Sequence, residues 1–137
     1  MDKSLIQAYQ QAHYVVRIER REKNICVGEP NPWLEALLHQ NHQKTAAFIT
    51  ACNPKSELQS EEMNRANHHQ LHMQIEQAKY PYFSGYSSDK LEVWPREESF
   101  LILGVSQRRA EQLARQFSQN AYLWATGGAV ELRWLEY

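Results

Sequence analysis

The chain has 137 residues, the length of one ordinary domain, which buries about two-thirds of the surface its unfolded form exposes. Fifteen Lys and Arg stand against sixteen Asp and Glu, so the long-range field that draws proteins onto nucleic acid is missing and generic nucleic-acid binding is not expected. No apolar run approaches the roughly 18 residues of a membrane span, and MDKSLIQAYQQ lacks the apolar core of a signal peptide, so a cytoplasmic protein with no membrane contact is expected.

Leu5, Ile6, Tyr9 and Ala12 recur at helical spacing and predict a short helix over residues 4–12. Residues 14–19 (YVVRIE) and 24–28 (NICVG) read as the strands of a hairpin, with charged RREK, 20–23, as its solvated loop. In NPWLEALLHQ, Asn31 stands at the cap position and Pro32 at the first helical position, while Trp33, Leu34, Leu37 and Leu38 form one apolar face. TAAFITAC, 45–52, is apolar with β-branched and aromatic members and stops at Asn53-Pro54. It reads as a buried strand, with Asn53 extended because the following proline disfavours helical backbone there.

Ser60 with Glu61 and Glu62 opens a helix running to about residue 79, since a hydroxyl bonds free N–H groups and acidic residues suit the positive end of the dipole. Its stripe is Met63, Leu71, Ile75 and Ala78, interrupted by Asn67. YPYFSGY, 80–86, predicts a strand; SSDKLEVWPRE is a loop; SFLILGV, 99–105, is the most apolar strand and is expected to be central. Ser106 caps a helix with Ala110, Leu113, Ala114 and Phe117 on one face. AYLWA, the Gly127-Gly128 turn, and alternating Val130, Leu132 and Trp134 close the chain as a hairpin. Cys26 and Cys52 are expected to be buried, reduced thiols.

From residue 45 the order strand, helix, strand, strand, helix, strand is that of the split βαβ unit. The expected fold is therefore a single α/β (α+β) domain over 1–137. A mainly antiparallel sheet would have a ferredoxin-like βαββαβ core, about 45–126, and an N-terminal αββα extension. In that topology the NPKS loop, the 87–98 loop and the Gln119-Asn120 corner lie on one edge.

The words FITACNPKS, SEEMNR, WPREESFLILG and FSQNAYLW, in that order, resemble the bacterial family catalogued as domain of unknown function 3293. The resemblance spans roughly residues 5–130, and Ser118 stands where the F-x-Q-N-A word is expected to carry glycine. It implies kinship of fold and brings no chemistry with it.

The candidate site follows from the convergence. Asn53, Ser56 and Asn64 offer adaptable hydrogen bonds, Arg65 offers a planar fork for phosphate or carboxylate, and the start of the 60–79 helix leaves N–H groups free. Gln119 and Asn120 join from the other corner, Trp94 could cover a flat ligand, and of the adjacent Glu97 and Glu98, which could supply a general base or simply mark a solvated loop, Glu98 is assigned to the site. The competing plain reading makes the same residues caps and turns. His68 and His72 lie four apart, but HHQLH lacks the glutamate of a zinc helix and a third ligand is unassigned, so no metal is expected. Cys52 at the end of an apolar strand reads as core rather than nucleophile. Phosphate-loop, Rossmann and serine-hydrolase patterns are absent, and no cofactor is expected.

The expected role is a binding module for a small anionic or polar ligand, or for a protein partner, at this edge. One alternative is an enzyme acting on a phosphate- or amide-containing substrate with Glu98 or His68 as base. Another is an interaction subunit that pairs with a partner or a second copy through the hairpin WATGGAVELRWLEY.

Overall fold

The run TAAFIT forms strand β3 (Thr45–Thr50) and EESFLIL forms β5 (Glu97–Leu103), paired antiparallel with Phe48 opposite Leu101. Alternate residues bury in opposite directions: Ala47, Ile49, Phe100 and Ile102 enter one core, and Ala46, Phe48, Leu101 and Leu103 enter another. A strand covered on both faces has no polar side, and so residues 46–49 and 100–103 are continuously apolar in sequence.

The computed structural model describes residues 2–137. Among them the chain continues as α1 (Lys3–Gln11), β1 (His13–Ile18), β2 (Arg21–Ile25) and α2 (Pro32–Gln40) before β3. After β3 come α3 (Glu61–Gln77), β4 (Tyr82–Ser88), β5, α4 (Gln107–Gln116), β6 (Ala121–Thr126) and β7 (Ala129–Trp134). The described residues form a mixed α/β structure with one seven-stranded sheet in the order β2-β1-β4-β5-β3-β6-β7. Every neighbouring pair is antiparallel. None of the described helices is long and apolar enough to cross a membrane.

Leu71 and Ile75 of α3 and Ala110, Leu113 and Ala114 of α4 pack on one face of the sheet, while Leu34, Leu37 and Leu38 of α2 pack on the other. Both α3 and α4 begin as their capping residues dictate. Ser60 Oγ accepts from the Met63 N–H and Ser106 Oγ from the Arg109 N–H. Met63 and Ala78, expected in the α3 stripe, are exposed, because only the middle of the helix lies over the sheet.

Four local expectations change. RREK is not a loop: Arg21 to Lys23 pair with β1, and the turn is Glu19-Arg20, both with positive φ. β2 is an edge strand, and a charged edge is stable because it discourages pairing with other chains. Asn31 starts α2 without capping it. Its side chain accepts from the Cys26 N–H and donates to the Cys26, Glu29 and Gly128 carbonyls, tying the β2–α2 loop to the C-terminal hairpin. Cys26 is exposed, and only Cys52 is buried. Asn53 is left-handed, not extended, at φ 46° and ψ 64°; the bonds that hold it there are described below.

Helix α4 ends with Ser118 at φ 53°, the left-handed residue that so often follows a helix and is usually glycine. That matches the position where glycine was expected. Ser118→Gly is expected to stabilise the protein by about 1 kcal/mol, since a side chain in this region costs about that much. A rise in Tm without a change in the denaturant slope checks it.

Candidate functional site

Glu97 and Glu98 are consecutive in β5, so they project to opposite faces of the sheet. Glu98 goes to the α3 side and forms a two-pronged pair with Arg17 of β1, with Nη1–Oε1 at 2.9 Å and Nη2–Oε2 at 3.1 Å. Both partners are more than a third exposed, so the pair contributes less than about 1 kcal/mol. Glu97 turns the other way, toward Asn53 and Trp94. Of the two carboxylates, Glu97 is therefore the one that meets the cluster, and Glu98, the expected base, stands apart from it.

Asn53 organises that cluster. Its backbone N–H donates to Asn64 Oδ1 at 2.9 Å, and its Oδ1 accepts from the Gln59 N–H and from Asn64 Nδ2, each at 3.0 Å. Its Nδ2 donates to Glu97 Oε2 at 2.8 Å. Four bonds from a buried side chain and its own amide over-determine the left-handed backbone, which overrides the extended preference before Pro54. Lys55 and Ser56 follow, also at positive φ.

The next loop docks on the β6 corner. The Lys55 N–H donates to the Ser118 carbonyl at 2.8 Å, and Asn120 Nδ2 donates to Ser56 Oγ at 2.8 Å. Gln119 Nε2 donates to the Cys52 carbonyl at 3.0 Å. Tyr9 of α1 reaches the same place, its hydroxyl 2.8 Å from Ser56 Oγ. Trp94 Nε1 donates to Glu97 Oε2 at 3.3 Å, and Asp89 fixes the loop by accepting from the Val93 and Trp94 N–H groups.

Asn53, Ser56, Asn64, Trp94, Gln119 and Asn120 are thus joined in one neighbourhood. Arg65 is exposed and, among the described residues, has no hydrogen-bond or ion-pair partner. Neighbouring residues on a helix do not share a face, and here Asn64 is the one turned inward.

Beside the network opens a cleft of about 650 Å³. Leu5, Ala8 and Tyr9 of α1 form one wall; Tyr14, Ser87 and Trp94 contribute to the others, with Glu97 among the lining groups. An inner pocket of about 30 Å³ shares Tyr9, Tyr14, Ser87 and Glu97 with it. Glu97 Oε2 takes both donors from the network, while Oε1 has no partner among the described residues. Burial pushes the Glu97 carboxyl above its ordinary range, against the opposing hydrogen bonds from Asn53 and Trp94. Burial likewise raises the Tyr9 and Tyr14 hydroxyls.

The expected alternatives sit elsewhere. Burial raises the Cys52 thiol, which disfavours the thiolate. His68 stacks on Phe100, and burial lowers its pKa. His72 lies 2.6 Å from the Tyr82 hydroxyl and 2.9 Å from Glu76. Among the described residues, no three of His, Cys, Asp and Glu are placed to hold a metal ion.

Sequence reasoning did not single out Tyr9, Tyr14 or Gln59 for the site. Tyr9 read only as one of the apolar positions that mark a short helix, whereas α1 has no buried residue and serves as a cleft wall. Tyr14 read as an ordinary strand residue, and its hydroxyl in fact donates to the Tyr9 carbonyl.

A family model described as "Protein of unknown function (DUF3293)" matches residues 49–122. That span contains the Asn53 network, Glu97 and Asn120, and leaves α1 outside it. No curated protein and no solved structure matches the chain.

Proposed function

This chain belongs to the family described as protein of unknown function DUF3293, and we propose that it is a binding module for a small polar ligand, held in the cleft between α1 and the 89–96 loop. The observation that carries this reading is Glu97. A carboxylate held by Asn53 and Trp94 through one oxygen, with no partner on the other among the described residues, lines a cleft large enough for a small molecule. The anionic form of the ligand loses its main support, since Arg65 is exposed and outside the cleft lining while Glu97 belongs to it.

The neighbour order β4-β5-β3-β6 supports reading residues 45–126 as a ferredoxin-like core, with β1 and β2 lengthening its sheet beyond β4. We place the module in the cytoplasm, on the sequence grounds given above. An enzymatic reading has one observation in its favour: a carboxyl with raised proton affinity and an open oxygen has the form of a general base. Turnover of any ligand found would favour it over binding alone.

Glu97→Gln tests the role of the carboxylate. The folded state holds the Glu97 proton more tightly than the unfolded chain does. The stabilisation is therefore full below the ordinary glutamate value of 4.5 and is lost as pH rises through the raised folded value. Glutamine removes the buried charge yet still accepts from Asn53 and Trp94. The variant is expected to be more stable at neutral pH, on the order of 1 kcal/mol, with a flatter stability profile above the ordinary glutamate value of 4.5 by urea unfolding. In a thermal-shift screen of amines, nucleosides, amino acids and organic acids, the parent and Arg65→Ala are expected to respond alike, and Glu97→Gln to respond to none. A shift retained in full by Glu97→Gln removes the carboxylate from the reading.

A further inference from the structure

We propose that the cleft takes an organic ammonium ion with an apolar body, its N–H⁺ donating to Glu97 Oε1. This rests on the binding role proposed above and names the class of ligand. An ionised carboxylate only accepts hydrogen bonds, so the group that meets the free oxygen must be a donor. Of the other carboxylates lining the cleft, Asp89 takes loop N–H groups on both its oxygens, and Asp2 takes the Ser4 N–H on one of its own at the start of α1. The lysine of the lining, Lys55, lies over the ring of Tyr137. Beside Glu97 an anion would meet three lining carboxylates, Asp2, Asp89 and Glu97, against that single lysine.

Donor number and shape point the same way. An ammonium carries up to three N–H donors; Glu97 takes one, and the Ser87 and Ser88 hydroxyls in the same lining can accept others. Leu5, Ala8 and Val93 offer apolar surface to the body of the ligand. A bare divalent ion is a poor match, because it needs several oxygen ligands and, among the described residues, no three of His, Cys, Asp and Glu are placed to hold one. The cleft is open to solvent, so the pair avoids the full desolvation penalty of a deeply buried one.

The Trp94 indole N–H, bonded to Glu97, is a spectroscopic reporter of the site. The test titrates the ¹⁵N-labelled protein with benzylamine, benzyl alcohol and phenylacetate, assigning the indole resonance with Trp94→Phe. Benzylamine is expected to shift it saturably, and to bind at least about tenfold more weakly to Glu97→Gln, the loss of one charge-assisted hydrogen bond. Its affinity is expected to rise with pH above the ordinary glutamate value of 4.5, as Glu97 ionises while the amine stays protonated. Benzyl alcohol or phenylacetate binding as tightly as benzylamine would overturn the ammonium assignment and leave the binding cleft standing. No shift of the resonance with any of the three would overturn both.

Discussion

Gly85→Ala is expected to destabilise the protein by roughly 3 kcal/mol or more, the upper end of what overpacking a core produces. A Cβ on Gly85 would lie 2.2 Å from the Val15 carbonyl oxygen and 3.0 Å from a ring carbon of Phe48. Neither neighbour can yield cheaply. Val15 belongs to the β1 backbone, paired to β4 through Val15–Tyr86 and Val16–Gly85, and Phe48 is buried beneath the sheet. Relief requires β1 to move off β4, which breaks the ladder joining the N-terminal hairpin to the rest of the sheet. Tyr14 of β1 and Ser87 of β4 both line the cleft, so the same displacement distorts it. Urea unfolding of parent and variant measures the loss. A change under about 1 kcal/mol would mean that β1 and β4 do not approach as closely as described.

That close approach could not be read from YPYFSGY, although the strand itself could. Alternation and turn residues reveal that a segment is extended, but the spacing between two backbones depends on how the whole sheet twists. The legibility of the candidate site divides in the same way. Ser60, Ser106 and the Gly127-Gly128 turn act locally, and each sits where its chemistry predicts. Glu97 and Glu98 could not be told apart, because their strand is apolar on both faces and leaves no polar side to set the parity. RREK looked like a loop because an edge strand can be charged throughout. The left-handed Asn53 was hidden for a different reason: local preference before proline is weak beside hydrogen bonds to Gln59, Asn64 and Glu97, which only the folded chain supplies.

Asn53→Ala is expected to destabilise by about 3 kcal/mol, because it leaves the Gln59 N–H and Asn64 Nδ2 without their acceptor and puts a Cβ-bearing residue of poor left-handed tolerance at φ 46°. Asn53→Gly loses the same side-chain bonds but suits the backbone, so it is expected to be about 1 kcal/mol milder; the difference between the two variants isolates the backbone share. Asn53→Asp separates the electrostatic share. It keeps an acceptor for Gln59 and Asn64 but sets a second carboxylate against Glu97 in place of the donor that steadies it. Like charges at that distance raise each other's proton affinity, so Asn53→Asp is expected to be weak at neutral pH and to recover in mild acid, where the two share a proton. Combining it with Glu97→Gln restores a donor facing an acceptor, with the roles exchanged. The double variant is therefore expected to be more stable than Asn53→Asp alone by more than Glu97→Gln stabilises the parent, a coupling that a double-mutant cycle measures directly. Additive effects would show that Asn53 and Glu97 do not bond, and would remove the support that leaves one carboxylate oxygen facing the cleft.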